Sequence, residues 1–397
     1  MKKFISIFLI LISFSIGFAV SDFFNSLNNK ENITGLVNLD SDENNAIEDK
    51  ADFSLFWDAW KMIEDDYTIE QLDYQKMVHG AISGMVDSLD DPYTVFLTPE
   101  ENKMFNQDMS GKFGGIGAEI GFRDGLLTII APLKNSPAER AGLLPGDIVL
   151  EVDGEEIIGA NIDKAVYFIR GEKGTKVILT ISREGLDELK EIEITRDIIT
   201  VETVEWEMLE NNIAYINISQ FNEDTAFEFD NYINDILIEN PKGIILDLRN
   251  NSGGYLTVAN KITSRFVDRD EVIVIESYKD KEEIHKSEGG RRFSGIPIAV
   301  LINEGSASAS EILAGALKDN GKAKLVGEKT FGKGLVQIME DLKDGSAIKI
   351  SISRWLTPNR IDINENGIEP DFEVELTLED YLNERDPQLE KALEILK

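Results

Sequence analysis

Apolar and polar positions change period several times along the 397 residues, and each change marks a different kind of element. Between Phe53 and Leu89 apolar residues recur at helical spacing (Phe53, Phe56, Trp57, Trp60, Ile63, then Met77, Ala81, Met85), which predicts two or three helices. Asp91-Pro92-Tyr93-Thr94 breaks that pattern. From Gly114 the texture turns to short strands punctuated by glycine. Strands are predicted at 126–130, 148–152 and 176–182, a small helix at 137–141, a turn at Asp153-Gly154 and a helix over 162–170. Beyond Ile213 the pattern becomes strand, helix, strand: 214–218, a helix over 224–239, then 243–249 and 296–303. The last two runs are apolar at nearly every position, as in sheets covered on both faces. Residues 309–318 are helical in period, with Ile312, Leu313, Ala316 and Leu317 in phase. Strands are predicted at 323–326, 346–353 and 372–376, and a helix over 386–397.

These changes divide the chain. Lys2-Lys3 precede an apolar run over 4–20 that ends in small residues near Gly17-Phe18-Ala19, the make-up of a signal peptide or membrane anchor at 1–20. Either form exports the remainder, to the periplasm or the cell envelope. Residues 21–50 are polar and read as a linker. A helical region at 51–98, a small β-rich domain at 99–185, an α/β core at 186–380 and a C-terminal helix at 381–397 follow.

Composition narrows the chemistry by exclusion. A formal net charge of −34 argues against nucleic acid and anionic membrane surfaces as partners. With no cysteine, thiol nucleophiles, cysteine metal sites and disulfides are ruled out. The two histidines, His79 in an amphipathic helical stretch and His285 in a charged segment, leave little material for a Ser-His-Asp triad or a zinc site.

What remains lies between Gly305 and Gln337. Gly305-Ser306-Ala307-Ser308-Ala309-Ser310-Glu311 joins a buried strand to a helix, a turn able to present a hydroxyl and free backbone N–H groups at one spot. Chemistry alone does not rank the three serines. Gly327-Glu328-Lys329-Thr330-Phe331-Gly332-Lys333 fits GxxxxGK, but a P-loop continues with Ser or Thr and a helix. Here Gly334 and the strand-like Leu335-Val336-Gln337-Ile338 follow, leaving Lys333 as a solvated lysine or a general base. A lysine takes a proton from serine only when neutral. Lowering its pKa from about 10.4 to about 7–8 takes roughly 3 units, or about 4 kcal/mol, which burial can supply. Alternation along a strand would put Lys333 and Gln337 on one face, where an amide can orient the amine without adding charge. Gly115-Ile116-Gly117 lacks the spacing and context of a dinucleotide fingerprint.

Two resemblances sit on these motifs. Gly115-Ile116-Gly117-Ala118, with Ser136-Pro137-Ala138-Glu139-Arg140-Ala141-Gly142-Leu143 and Gly146-Asp147-Ile148-Val149, resembles a PDZ domain of the bacterial protease-associated kind. That implies a peptide-binding loop at Gly115, Ile116, Gly117 and Ala118 whose N–H groups hold a terminal carboxylate. The motif at 303–312, that at 327–334, Asp91-Pro92-Tyr93 and Asp247-Leu248-Arg249-Asn250-Asn251 resemble the carboxyl-terminal processing (tail-specific) serine proteases, over about 53–371.

The resemblance implies a multidomain fold of mixed α+β and α/β class: N-terminal helices, a PDZ-like domain and a crotonase/ClpP-like α/β core. It implies a serine endopeptidase with Ser308 as nucleophile, Lys333 as base, Gln337 as the residue orienting that lysine, and an oxyanion hole of the Gly254 and Ala309 N–H groups. Its partners would be protein or peptide substrates with free C-termini, and no metal or organic cofactor is implied. Arg170 resembles an arginine that couples PDZ position to the active site in some relatives; a helix C-cap cation is the other reading. The rival functions are a peptide-binding adaptor without activity and a different hydrolase on a crotonase-like sheet.

Overall fold

The computed structural model describes residues 51–397 apart from 124, 160–161, 184, 187, 378, 381–382 and 384. The export segment and linker predicted over 1–50 lie outside them. Among the described residues no helix is long and apolar enough to cross a membrane.

The chain forms two units, Met1–Met77 and Val78–Lys397. In the first, α1 (Ser54–Asp66) exposes Leu55, Trp57 and Met62, and the Trp60 ring stacks on Tyr74 with centroids 6.2 Å apart. Helix α2 (Tyr74–Asp87) straddles the division.

The second unit begins with β1 (Val95–Leu97), α3 (Pro99–Ser110), β2 (Lys112–Gly115), β3 (Ala118–Arg123), β4 (Leu126–Pro132), α4 (Pro137–Ala141), β5 (Ile148–Val152), β6 (Glu155–Glu156) and α5 (Ile162–Ile169). Strands β7 (Lys176–Ser182), β8 (Lys190–Thr195), β9 (Asp197–Thr200), β10 (Val204–Leu209) and β11 (Ile213–Ile218) lead to α6 (Thr225–Ile238), β12 (Gly243–Asp247) and α7 (Leu256–Thr263). Then come β13 (Val272–Ser277), β14 (Glu282–Lys286), β15 (Ile298–Ile302), α8 (Ala309–Asp319), β16 (Lys324–Gly327), β17 (Leu335–Asp341), β18 (Ala347–Leu356), β19 (Phe372–Glu373) and α9 (Pro387–Ile395).

Strands β3-β4-β5-β7-β8 form the PDZ-like sheet, with β6 on β5. The sheet runs ten residues past the predicted boundary at 185, because β8 pairs with β7 from Lys176↔Thr195 to Ile181↔Lys190. The stretch Lys190-Glu191-Ile192-Glu193-Ile194-Thr195 is mostly polar, yet buried Ile192 and Ile194 fill one face of an edge strand. Just after it, the Arg196 guanidinium, 8% exposed, donates to the carbonyls of Phe168, Ile169 and Lys176 and to the Thr175 hydroxyl. It satisfies carbonyls at the end of α5 that no intrahelical donor reaches.

The core sheet has the order β10-β11-β12-β15-β16-β19, parallel from β11 onward with β10 as an antiparallel edge. Alternate side chains leave on opposite faces. Leu246, Val300 and Leu325 join a core with Phe229, Phe266, Ile312 and Leu313 of the helical layer, while Ile245, Leu301 and Val326 pack with Ala392 and Leu396 at the C-terminus. Burial on both faces explains the unbroken apolar runs in these strands. A third sheet, β1-β18-β13-β14 with β17 on β18, supplies part of the cleft described below.

Replacing Arg196 by lysine is expected to cost about 2–4 kcal/mol, since one ammonium cannot reach acceptors that the planar fork meets together. Urea unfolding of Arg196→Lys should show that loss, and hydrogen exchange should quicken first in α5.

Candidate active site

Strand β15 ends at Ile302 and α8 starts at Ala309, and the loop between them is pinned from below. The Ser306 hydroxyl donates to the Leu248 carbonyl at 2.8 Å and accepts from the Asn303 N–H at 3.0 Å. The Ser310 hydroxyl donates to the Asn251 carbonyl at 2.8 Å. Both serines are 0% exposed, so two of the three hydroxyls left open by the sequence are committed to holding the turn after β12. Ser308 is different. It lines the cleft and has φ 55° and ψ −112°, a conformation that side chains other than glycine rarely adopt and that costs about 1–3 kcal/mol.

That strain is held by Glu311, three residues on and 0% exposed. Its carboxylate accepts from the Ser308 N–H at 2.7 Å and the Lys333 N–H at 3.0 Å on one oxygen, and from the Thr330 hydroxyl at 2.6 Å and the Gly332 N–H at 2.7 Å on the other. Burial pushes the Glu311 carboxyl up, against the four donors, which favour the charged form. Phe331 N–H adds a bond to the Ser306 carbonyl at 3.0 Å. The serine loop and the lysine loop are thus one piece. Sequence reasoning gave Glu311 no role. Its signal was an acidic residue at the third helical position after a serine, the spacing of a helix-capping pair.

Lys333 precedes β17 rather than lying on it, and the β17–β18 register shifts between Val336 and Gln337. The alternation expected for 333, 335 and 337 therefore does not reach Lys333, which stands outside the strand, and the extra residue at the shift is Ile352 of β18. Both side chains still line the same cleft. The Lys333 ammonium lies 5.4 Å from the Tyr93 ring centroid, and burial lowers its pKa against the opposing charge of Glu311. The Gln337 amide donates to the Tyr93 carbonyl at 2.8 Å. Among the described residues no hydrogen bond joins Lys333 to Ser308 or to Gln337. The 91–94 turn is itself fixed: Asp91 accepts from the Tyr93 N–H at 3.0 Å and the Thr94 hydroxyl at 2.6 Å, and the Ser351 N–H donates to Thr94 at 3.1 Å. In the sequence Tyr93 stands only as part of the Asp91-Pro92-Tyr93 motif, with no chemistry of its own.

The turn Ser252-Gly253-Gly254 closes the other side. A Cβ at Gly253 would stand 2.8 Å from the Ser308 Cβ, and one at Gly254 would stand 2.2 Å from the Phe221 carbonyl oxygen, so only glycine allows this approach. Among the described residues neither the Gly254 nor the Ala309 N–H donates to a protein acceptor; Ala309 follows Ser308 in the chain, and Gly254 lines the same cleft. The cleft holds about 600 Å³ and is mainly apolar, with Phe105, Met109, Leu335, Met339 and Trp355 among its walls. Neither histidine lines it: His79 faces Asp344 at 2.8 Å and His285 faces Glu276 at 3.1 Å. The chain after Gly334 is a strand, so the fit to GxxxxGK carries no phosphate-binding helix.

The PDZ-like loop lies apart from these residues. Gly115, Ile116 and Gly117 are buried, Ala118 is partly exposed, and β3 forms an outer edge of its sheet. The Ile116 and Gly117 N–H groups donate to no protein acceptor among the described residues. Arg170 reaches out of the domain, pairing with Asp108 of α3 at 2.6 Å over the Phe113 ring at 4.1 Å, and Asp108 also lines the cleft.

Residues 212–374 match peptidase family S41, residues 128–183 match a PDZ domain, and residues 10–101 match the N-terminal domain of the activating protease CtpB. The carboxy-terminal processing protease CtpA of Bacillus subtilis (strain 168) is 42% identical over 319 residues, 80% of this chain and 68% of that protein. A probable CtpA-like serine protease of Staphylococcus haemolyticus (strain JCSC1435) is 42% identical over 318 residues, again 80% of this chain but 63% of its own length, so the chain spans less than two thirds of that relative. Among solved structures, the photosystem II D1 C-terminal processing protease superposes with a TM-score of 0.52 at 30% identity, covering 80% of this chain and 86% of that one. The chain belongs to peptidase family S41, the carboxy-terminal processing serine proteases that carry a PDZ domain.

Exchanging Glu311 for glutamine turns one acceptor oxygen into a donor that faces two buried donors. Glu311→Gln should lose roughly 2–6 kcal/mol, at about 1–3 for each buried group left unpaired. Chemical denaturation reads that loss directly.

Proposed function

We propose that the protein is an exported endopeptidase in which Ser308 is the nucleophile, Lys333 the general base and Gly254 and Ala309 the oxyanion donors. The observation that carries this reading is the strained, cleft-facing Ser308 clasped by one carboxylate to a partly buried lysine that has no ion pair among the described residues. Neutral Lys333 accepts the Ser308 proton as Oγ bonds to the scissile carbonyl carbon, and the carbonyl oxygen, now an oxyanion, is held by the two N–H groups. The C–N bond then breaks, and the Lys333 ammonium gives its proton to the leaving amine. Water, activated by the same amine, cleaves the ester and returns the proton to Ser308. Gln337 acts through Tyr93: by holding that carbonyl it fixes the ring against which the lysine rests, and Lys333 swings from this ring to Ser308.

Selection of substrates falls to the PDZ domain. The free N–H groups of its loop, beside the edge strand β3, suit a peptide that adds as a strand and ends there in a carboxylate. Arg170, through Asp108, relates that domain to the cleft. Residues 1–20 deliver the chain across the membrane as a signal peptide or anchor. Fractionation of cells with N-terminal sequencing checks the export, and a purely cytosolic product with an intact start rejects it.

Ser308→Ala and Lys333→Ala should each abolish cleavage of an unfolded protein substrate while the melting temperature holds. Ser306→Ala should keep substantial turnover at reduced stability, because its hydroxyl is a pin. A dead Ser306→Ala with an active Ser308→Ala reverses the assignment. As pH rises the free-amine fraction of Lys333 grows, so kcat/KM should climb through a value below the usual lysine pKa of about 10.4, and Lys333→Arg should stay inactive.

An amidated tail lacks the charge that the PDZ loop would hold and forfeits charge-assisted hydrogen bonds of about 1.5–3 kcal/mol each. A substrate with a free apolar C-terminus should be cut faster than its amidated twin, mainly through KM. Equal rates remove the selector role and leave the catalytic assignment standing.

A further inference from the structure

The cleft carries a cation for which the proposed mechanism has no use. Lys349 lies on β18, held between two strands: Met339 of β17 stands opposite it on one side and Val95 of β1 on the other. The pairing Gln337↔Ser351, Ile338↔Ile350, Met339↔Lys349 is regular here, so Lys349 leaves the sheet on the same face as Met339 and Gln337. All three residues line the cleft.

The wall around this ammonium is apolar. Its nitrogen lies 5.8 Å from the ring centroid of Phe105, which lines the cleft beside Met339. Elsewhere in the chain a largely buried lysine finds acids: Lys322 pairs with Asp268 at 2.7 Å and with Glu271 at 2.9 Å. Lys349 makes no ion pair among the described residues, in a chain with 74 acidic side chains against 40 lysines and arginines. The acids that share its surroundings are engaged by other groups. Asp108 is taken by Arg170 at 2.6 Å, and Asp91 already accepts from the Tyr93 N–H and the Thr94 hydroxyl. Burial pushes the Lys349 pKa below the usual lysine value, the charge of Lys333 adds to that, and Asp91 opposes it. An ammonium that has lost water without gaining a carboxylate is stabilised by an anion brought to it.

We propose that Lys349 forms a subsite for a carboxylate of the bound substrate, an Asp or Glu side chain or a chain terminus, while the apolar walls take the neighbouring side chains. The proposal rests on the cleft around Ser308 being the place where substrate is cut. It makes Lys349 a specificity residue with no part in breaking the bond.

The test compares kcat/KM of the full enzyme on peptides of one sequence. Each carries Glu, or Gln in its twin, at one of three positions on either side of the scissile bond, and all have amidated tails. At one position the wild type should cut the Glu peptide about tenfold faster than its twin, mainly through KM, the scale of one charge-assisted hydrogen bond. Lys349→Arg should keep that preference and Lys349→Met should bring the ratio to about one. Lys349→Glu should invert it, favouring a peptide with lysine at the same position. Partial unfolding of a variant slows both twins alike, so a merely structural role would not move the ratio. A second arm gives the Gln peptides free tails. If only these outpace their amidated twins, and Lys349→Met cancels the advantage, the carboxylate is the terminal one. A wild type that shows neither preference overturns the proposal, as does either preference surviving Lys349→Met unchanged. Ser308→Ala separates the two readings: if it still cleaves, the nucleophile assignment falls; if it is dead while the wild-type ratios ignore residue 349, only the subsite falls.

Discussion

A fully enclosed carboxylate that accepts from four donors tolerates only one arrangement of the chain around it. In this protein the donors on Glu311 come from both loops of the site, Ser308 on one side and Thr330, Gly332 and Lys333 on the other. Opening either loop would leave a buried charge short of partners, which costs far more than the bonds are worth when made. The cost of φ 55° at Ser308 is small by comparison, so the strain persists. The serine and the lysine need no direct bond to be held together. Their backbone N–H groups are tied to the same carboxylate oxygen, and their side chains stay free to move.

The same economy of charge keeps the cleft short of counter-ions. Near the core sheet, the buried Asp247 is matched by Arg249 at 2.6 Å and by the Tyr215 hydroxyl at 2.7 Å, and Arg249 goes on to Asp386 and Gln388, fastening the start of α9 beneath the end of β12. Among the described residues, the buried Asp147 pairs with Arg183 at 2.6 Å and the buried Glu276 faces His285 at 3.1 Å. A net charge of −34 would otherwise favour the protonated form of any lysine within reach. The lowered pKa of Lys333 therefore depends on the scarcity of carboxylates beside it as well as on burial.

The sequence made the strands of the core sheet legible because they are buried on both faces and read as unbroken apolar runs, and the helices because their apolar stripes keep phase. It made Ser308 and Lys333 visible as a pair of motifs. It did not tell the serines apart, since the distinction is tertiary: Ser306 and Ser310 find carbonyls at Leu248 and Asn251, more than fifty residues away in the chain. The bulge at Ile352 of β18, opposite Val336 and Gln337, left no mark in an alternating stretch, and the partner of the Gln337 amide, a main-chain carbonyl at Tyr93, carries no residue identity at all. β8 escaped because two isoleucines among charged residues suffice for an edge strand but not for a pattern.

The remaining step joins the PDZ domain to the cleft, and it depends on α3. This helix is well capped: the Thr98 N–H donates to Glu101 at 2.8 Å, the Glu101 N–H returns to the Thr98 hydroxyl, and Pro99 opens the first turn. A rigid helix is a better carrier of displacement than a loop, and one face of this one meets the cleft through Phe105, Asp108 and Met109. Its link to Arg170 is half-exposed on the Asp108 side, so the ion pair alone is a weak spring. The guanidinium also lies over Phe113, and the carbonyl of Gly114, next in the chain, accepts from the Gly171 N–H at 3.1 Å. The end of α5 is therefore tied to β2 by main-chain and ring contacts and to α3 by charge. In the proposed reading, a peptide that displaces α5 would pull on both, and the wall it moves lines the cleft that also holds Lys333.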